Sequence, residues 1–134
     1  MSKFFLQVSC EFDSNYSLTV EDDGRVAYAY LMEYGDIIGD VWLYNHQDAP
    51  KQTNWHEQQE IPYLNLAEYL KKDISISPIK DKNDVRCEWT ESPNDGRIEV
   101  SILLRGKFIA QVVAGSKPGW STLVVKDGPL AQVY

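Results

Sequence analysis

Two cysteines, two methionines and two histidines are all that the 134 residues hold of those types. Cys10 and Cys87 stand 77 residues apart without CxxC spacing, which excludes a structural zinc site. Each falls on the apolar phase of an expected strand, so both read as free thiols of a reducing compartment. No GxGxxG, GxxxxGK[ST] or GxSxG occurs, which argues against the common dinucleotide, P-loop and serine-hydrolase sites. No apolar run approaches the roughly eighteen residues of a membrane span. The Met1–Gln7 segment is too short and too soon interrupted, by Gln7, Ser9 and Glu11, for a signal peptide. The expectation is a cytoplasmic protein.

Positive charge is scarce where it matters most. The chain carries a net charge of −7, and residues 1–45 hold eight acids against Lys3 and Arg25 alone. Residues 46–134 are close to balanced, with twelve acids and eleven bases. A phosphate backbone or an anionic membrane surface is repelled by that N-terminal field. A basic protein surface is attracted and steered by it.

What is plentiful is aromatic, β-favouring sequence. Residues 25–45 set two aromatic-rich runs around Tyr34-Gly35-Asp36, the pattern of a β-hairpin. Both faces of the hairpin are apolar, so its strands are expected to be covered on both sides. Gly39 suggests a bulge or a close backbone approach. Asp40 is a lone acid in the most apolar part of the chain and requires solvent or a partner.

Before that hairpin, Phe4, Leu6, Val8, Cys10 and Phe12 alternate with more polar neighbours, and Tyr16, Leu18 and Val20 do the same. Asp22-Asp23-Gly24 reads as the turn between the second strand and the hairpin. Residues 46–64 form a long polar loop with Trp55 as its anchor. A helix is expected over 65–73, with Asn65 as N-cap, Glu68 completing a capping box and Leu66, Tyr69 and Leu70 facing inward. Ile74, Ile76 and Ile79 with Pro78 form an apolar connector with edge-strand character. Residues 74–134 then hold a second meander, its strands around Val85–Trp89, Ile98–Leu104 and Phe108–Val113, followed by a loop ending at Trp120 and a tail.

The expected fold is one domain over 1–134, β-dominated α+β. It has seven to eight antiparallel strands in two meanders, as a curved sheet, sandwich or partial barrel, with one short helix between them.

Three functions fit this pattern. The first is a non-enzymatic module that binds a basic protein, of the general character of acidic inhibitors or immunity proteins. Its contact residues would be Glu21, Asp22 and Asp23 at one turn, Asp13 and Glu33 at others, and Trp55 and Trp120 as anchors. The second is a small-molecule binder or small enzyme using a pocket of Tyr28, Tyr30, Asp40, Trp42 and Tyr44, with Asp40 or His56 as base. The third is an oligomerisation domain that pairs strand edges, so that a second copy is itself a partner. Enzyme activity is the less favoured reading. His46, Asp48, His56 and Glu57 are the only acid-base or ligand-type residues close together, and their spacing fits no metal-ligand motif. No metal and no cofactor is expected.

Overall fold

The computed structural model describes residues 3–46, 64–72 and 76–134. Among these, the strands form two sheets. The first is an antiparallel meander in chain order: β1 (Phe4–Ser9), β2 (Tyr16–Asp22), β3 (Val26–Glu33) and β4 (Asp36–Asn45). The second runs β5 (Val85–Glu91), β6 (Ile98–Leu104), β7 (Lys107–Val113), β8 (Trp120–Ser121) and β9 (Gln132–Val133). β9 lies parallel to β8, and every other pairing is antiparallel. Neither sheet closes into a barrel.

Alternation drives most of this. In β6, Ile98, Val100, Ile102 and Leu104 are buried, while Glu99, Ser101 and Leu103 are only half covered. In β5, Trp89 lies in the core, between exposed Glu88 and Thr90. The central strands behave differently. Val26 to Ala29 of β3 and Val41 to Tyr44 of β4 are buried at every position, as strands covered on both faces must be. Leu18, Val20, Ala29, Leu31 and Val41 of the first sheet share one core with Val100, Ile102, Ile109 and Val112 of the second. Cys10 is buried and Cys87 half-buried, both as free thiols, and burial pushes the Cys87 thiol up to about 12.

The two sheets are joined along the outer edge of β4, where the 115–119 loop and Leu130 act as a further strand. Gly115 N–H donates to Ile38 O (2.7 Å), Asp40 N–H to Ser116 O (3.1 Å), Gly119 N–H to Asp40 O (2.6 Å) and Trp42 N–H to Leu130 O (3.0 Å). One edge of the first sheet is therefore closed by main chain. At Gly39 the loop and β7 come so near that a Cβ would lie 2.8 Å from Val112 Cγ1 and 3.1 Å from Val113 O. The register shift between Leu31 and Met32 lies beside it, so Gly39 marks both a bulge and a close approach.

The expected helix over 65–73 is reduced to a single 3₁₀ turn, Ala67–Tyr69, with Leu66 at its N-cap and no side-chain cap. Tertiary partners draw the segment out of a helix. Asn65 is buried, its N–H donating to Asn45 Oδ1 and its carbonyl accepting from Asn45 Nδ2, each at 3.0 Å. On the other side Leu70 bridges Val124, Val125 N–H donates to Tyr69 O, and Lys71 N–H donates to Leu123 O. Two turns of helix contribute too little by themselves to compete with such pairing. The apolar connector is not a strand over its described part, 76–80; Ile79 is buried there.

Candidate functional site

The most distinctive surface lies at the end of the first sheet where the β1–β2 turn meets the β3–β4 turn. Tyr34 N–H donates to Asn15 O (2.9 Å), which locks the two turns together. The β3–β4 turn is Tyr34-Gly35, with φ of 52° and 86°. Two successive positive φ values are the requirement of a type I′ hairpin, a position that favours Asn-Gly. A bulky aromatic held at left-handed φ is strained by about 1–2 kcal/mol. Tyr34 is nevertheless 74% exposed, so most of its side chain faces solvent. Arg105 has the same geometry, with φ 50° before Gly106, but its guanidinium donates to Pro78 O at 2.7 Å. The side chain held there at Arg105 closes a hydrogen bond, whereas that of Tyr34 is directed largely to solvent.

Phe12 (48% exposed) and Ile37 (46%) lie at the same end. Four acids lie in or beside the same two turns: Glu11, Asp13, Glu33 and Asp36. Asp13 Oδ1 accepts from Asn15 N–H and shapes its turn. Glu33, hydrogen-bonded to the Tyr16 hydroxyl, pushes the Tyr16 phenol up to about 12. The only two bases of the sheet and its turns, Lys3 and Arg25, sit at the opposite end. Exposed aromatic and aliphatic anchors inside a charged rim have the anatomy of a protein-contact hot spot.

That opposite end carries a shallow groove of about 500 Å³, lined by Lys3, Phe4, Phe5, Glu21, Asp22, Asp23 and Val26. It contains the acidic turn expected from the sequence as a contact surface, but the three acids differ. Glu21 is exposed. Asp23 is half-buried, accepts from Arg25 and Val26 N–H, and pairs with the Arg25 guanidinium at 3.1 Å. Asp22 is 3% exposed and serves an internal network, which corrects its placement on the surface. Its Oδ2 accepts from the Tyr44 hydroxyl (2.5 Å), and its Oδ1 accepts from His46 Nε2 (2.5 Å) and Gly24 N–H (2.9 Å). Tyr44 Oη also accepts from Ile79 N–H (2.9 Å), and burial, then the Asp22 hydrogen bond, raises the Tyr44 phenol well above its ordinary range. Lys3 and Arg25 give this end its own counter-charge, whereas at the Tyr34 end the first sheet places no base; Arg97 and Lys117 approach there only from the second sheet and its loop packed on β4.

The network makes a testable claim. Gly24 N–H holds Oδ1, so Asp22→Asn turns an amide toward the Tyr44 hydroxyl and removes its acceptor. Asp22→Asn and Tyr44→Phe should each cost about 2 kcal/mol in denaturant unfolding. The double variant should cost much less than their sum, because the same bond is lost. Additive losses would show that the two groups are not coupled.

The expected aromatic pocket is divided by the sheet. Tyr28, Tyr30, Asp40 and Trp42 share a face, with Tyr28 opposite Trp42 and Tyr30 opposite Asp40. The Tyr28 and Tyr30 rings stack at 6.1 Å, and burial raises both phenols, Tyr30 to about 12. A second register shift, between Ala27 and Tyr28, turns Tyr44 to the other face, where it meets Asp22. Trp42 Nε1 donates to Asn45 Oδ1, and Trp42 is buried.

Asp40 is half-buried; burial raises its carboxyl above the usual carboxylate range, and nearby Lys117 opposes this. A raised folded-state pKa means that Asp40's favourable contribution is complete in acid and lost as pH rises through that pKa. Asp40→Asn should therefore raise the unfolding midpoint at neutral pH, and the gain should vanish below the ordinary pKa of an aspartate. A constant gain across pH would point to an effect other than ionisation.

Trp120 is half-buried in β8, between Gln111 and Gln132. Trp55, His56, Asp48 and Glu57 lie outside the described residues, as does most of the 46–64 loop. Among the described residues no group of three or more His, Cys, Asp or Glu side chains is arranged to hold a metal, and no helix is long and apolar enough to cross a membrane.

These observations define the class: a two-sheet β protein whose distinctive surface is an acidic, aromatic-tipped sheet end. No protein-family model, curated protein or solved structure matches the chain.

Proposed function

We propose that the protein is a non-enzymatic binding module that docks a basic partner protein on the Phe12–Tyr34–Ile37 surface, as an acidic inhibitor of the immunity type would. One observation carries this reading. The chain holds Tyr34, a bulky residue, at left-handed φ at a tip where Asn would be unstrained, and leaves its side chain mostly exposed. Glu11, Asp13, Glu33 and Asp36 supply the steering field, uncompensated by any base of the first sheet. Tyrosine is among the residues that dominate interface energetics because it buries a large rigid area at low entropic cost.

The test is quantitative capture with the full chain at low and moderate salt, wild type against Tyr34→Asn and Asp36→Lys. A basic protein retained by wild type and lost with either variant supports the reading. Equal retention by all three proteins removes it.

A further inference from the structure

β4's edge is closed by main chain, but β1's is not. Cys10 N–H donates to Tyr16 O, which sets this pair at a hydrogen-bonded position of the ladder. In an antiparallel ladder such pairs alternate. Phe4, Leu6 and Val8 therefore direct their backbone groups to Asp22, Val20 and Leu18 of β2, and Phe5, Gln7 and Ser9 direct theirs outward. Among the described residues no backbone group meets those outward N–H and C=O groups. Edge strands are normally guarded by charge, proline or a bulge. β5 is guarded, with Arg86 and Glu88 exposed along it. β1, Phe4-Phe5-Leu6-Gln7-Val8-Ser9, has no charge, proline or glycine, and Phe5 is 64% exposed.

We infer that β1 is a dimerisation edge, occupied by β1 of a second copy running antiparallel about a two-fold axis at Gln7. One register uses all three outward residues: Gln7 opposite Gln7, and Phe5 opposite Ser9 of the partner copy. The rest of the strand fits that register without adjustment. Half-buried Leu6 falls opposite Val8 of the partner copy, and Phe4 opposite Cys10, apolar on apolar on the core side. At each end Lys3 falls opposite Glu11, which lies just past the strand, so the sole base of this edge meets an acid twice by symmetry. The product is one eight-stranded sheet with a Tyr34 surface at either end. The edge shares Glu11 with the Tyr34 surface but is otherwise made of different residues, and the inference does not rest on the function proposed for that surface.

Sedimentation equilibrium on the full chain over a wide concentration series tests the dimer. Wild type should follow a monomer–dimer equilibrium. Gln7→Pro, which removes an outward N–H and leaves the β2 ladder untouched, should remain monomeric with an unchanged near-ultraviolet circular dichroism spectrum. Lys3→Glu alone should weaken the dimer about tenfold through two like-charge pairs, and adding Glu11→Lys should restore it. The charge swap decides the matter even if Gln7→Pro fails to fold. A monomer at every concentration would overturn the inference and leave the edge to a foreign strand. A double variant no tighter than Lys3→Glu would overturn the register.

Discussion

Gly119→Ala should unfold the protein or come close to it, at a cost of about 4 kcal/mol or more. A Cβ at this position would lie 2.3 Å from Gln111 O and 3.2 Å from Val112 Cα. Both obstacles are backbone atoms of β7, so no rotamer change relieves the clash. Gly119 cannot move away either. Its N–H donates to Asp40 O at 2.6 Å and its carbonyl accepts from Gln132 N–H at 2.8 Å. It is the point where β4, β7 and β9 are stitched together, and shifting it opens the junction between the sheets. A domain of this size has roughly 5–15 kcal/mol of stability, so the loss is a large part of the whole. Denaturant unfolding with Gly96→Ala as the control checks this. Gly96 has φ 72° with nothing near its missing Cβ, so it should cost only about 1 kcal/mol. Equal effects would mean that the close approach at Gly119 is not a constraint.

Tyr34→Asn should give the opposite pairing of effects. Asn tolerates left-handed φ, so the variant should be more stable by about 0.5–1 kcal/mol. Partner affinity should nevertheless fall about thirtyfold or more, the loss of a central aromatic anchor. Few substitutions separate stability and binding so cleanly. A variant that gains stability cannot owe its binding defect to misfolding. A destabilised variant would mean that Tyr34 supports the fold and that its strain has an internal use.

Much of the architecture was legible because hydrophobic period and turn chemistry agreed. Leu18 and Val20, Ile98 to Leu104, and Asp22-Asp23-Gly24 each carry a local signal that tertiary packing reinforces. The misses have physical causes. Two register shifts within the β3–β4 pair change which residues share a face, and the period of two breaks there without a sequence marker strong enough to place it. Simple alternation groups Tyr44 with Trp42, whereas the shifted register sets it beside Asp22. Asn65 has the chemistry of a helix cap, but Asn45, twenty residues earlier, claims its backbone groups. β8 and β9 are two residues each and owe their existence to β7, so no local pattern announces them. At the candidate site, Asp13 and Glu33 were recognisable from charge alone. Tyr34 reads in the sequence as part of a turn, although a bulky residue before Gly in a two-residue hairpin breaks the local rule and is itself the signal.

The central claim is that the strained Tyr34 tip exists to hold a basic partner. The most direct measurement is side-by-side capture by wild type and Tyr34→Asn, with the folded stability of both recorded in the same buffer. The account predicts a basic protein that wild type retains at low salt and releases as salt screens the acids, and that the more stable Tyr34→Asn protein does not retain. The same proteins retained by both at either salt would contradict it.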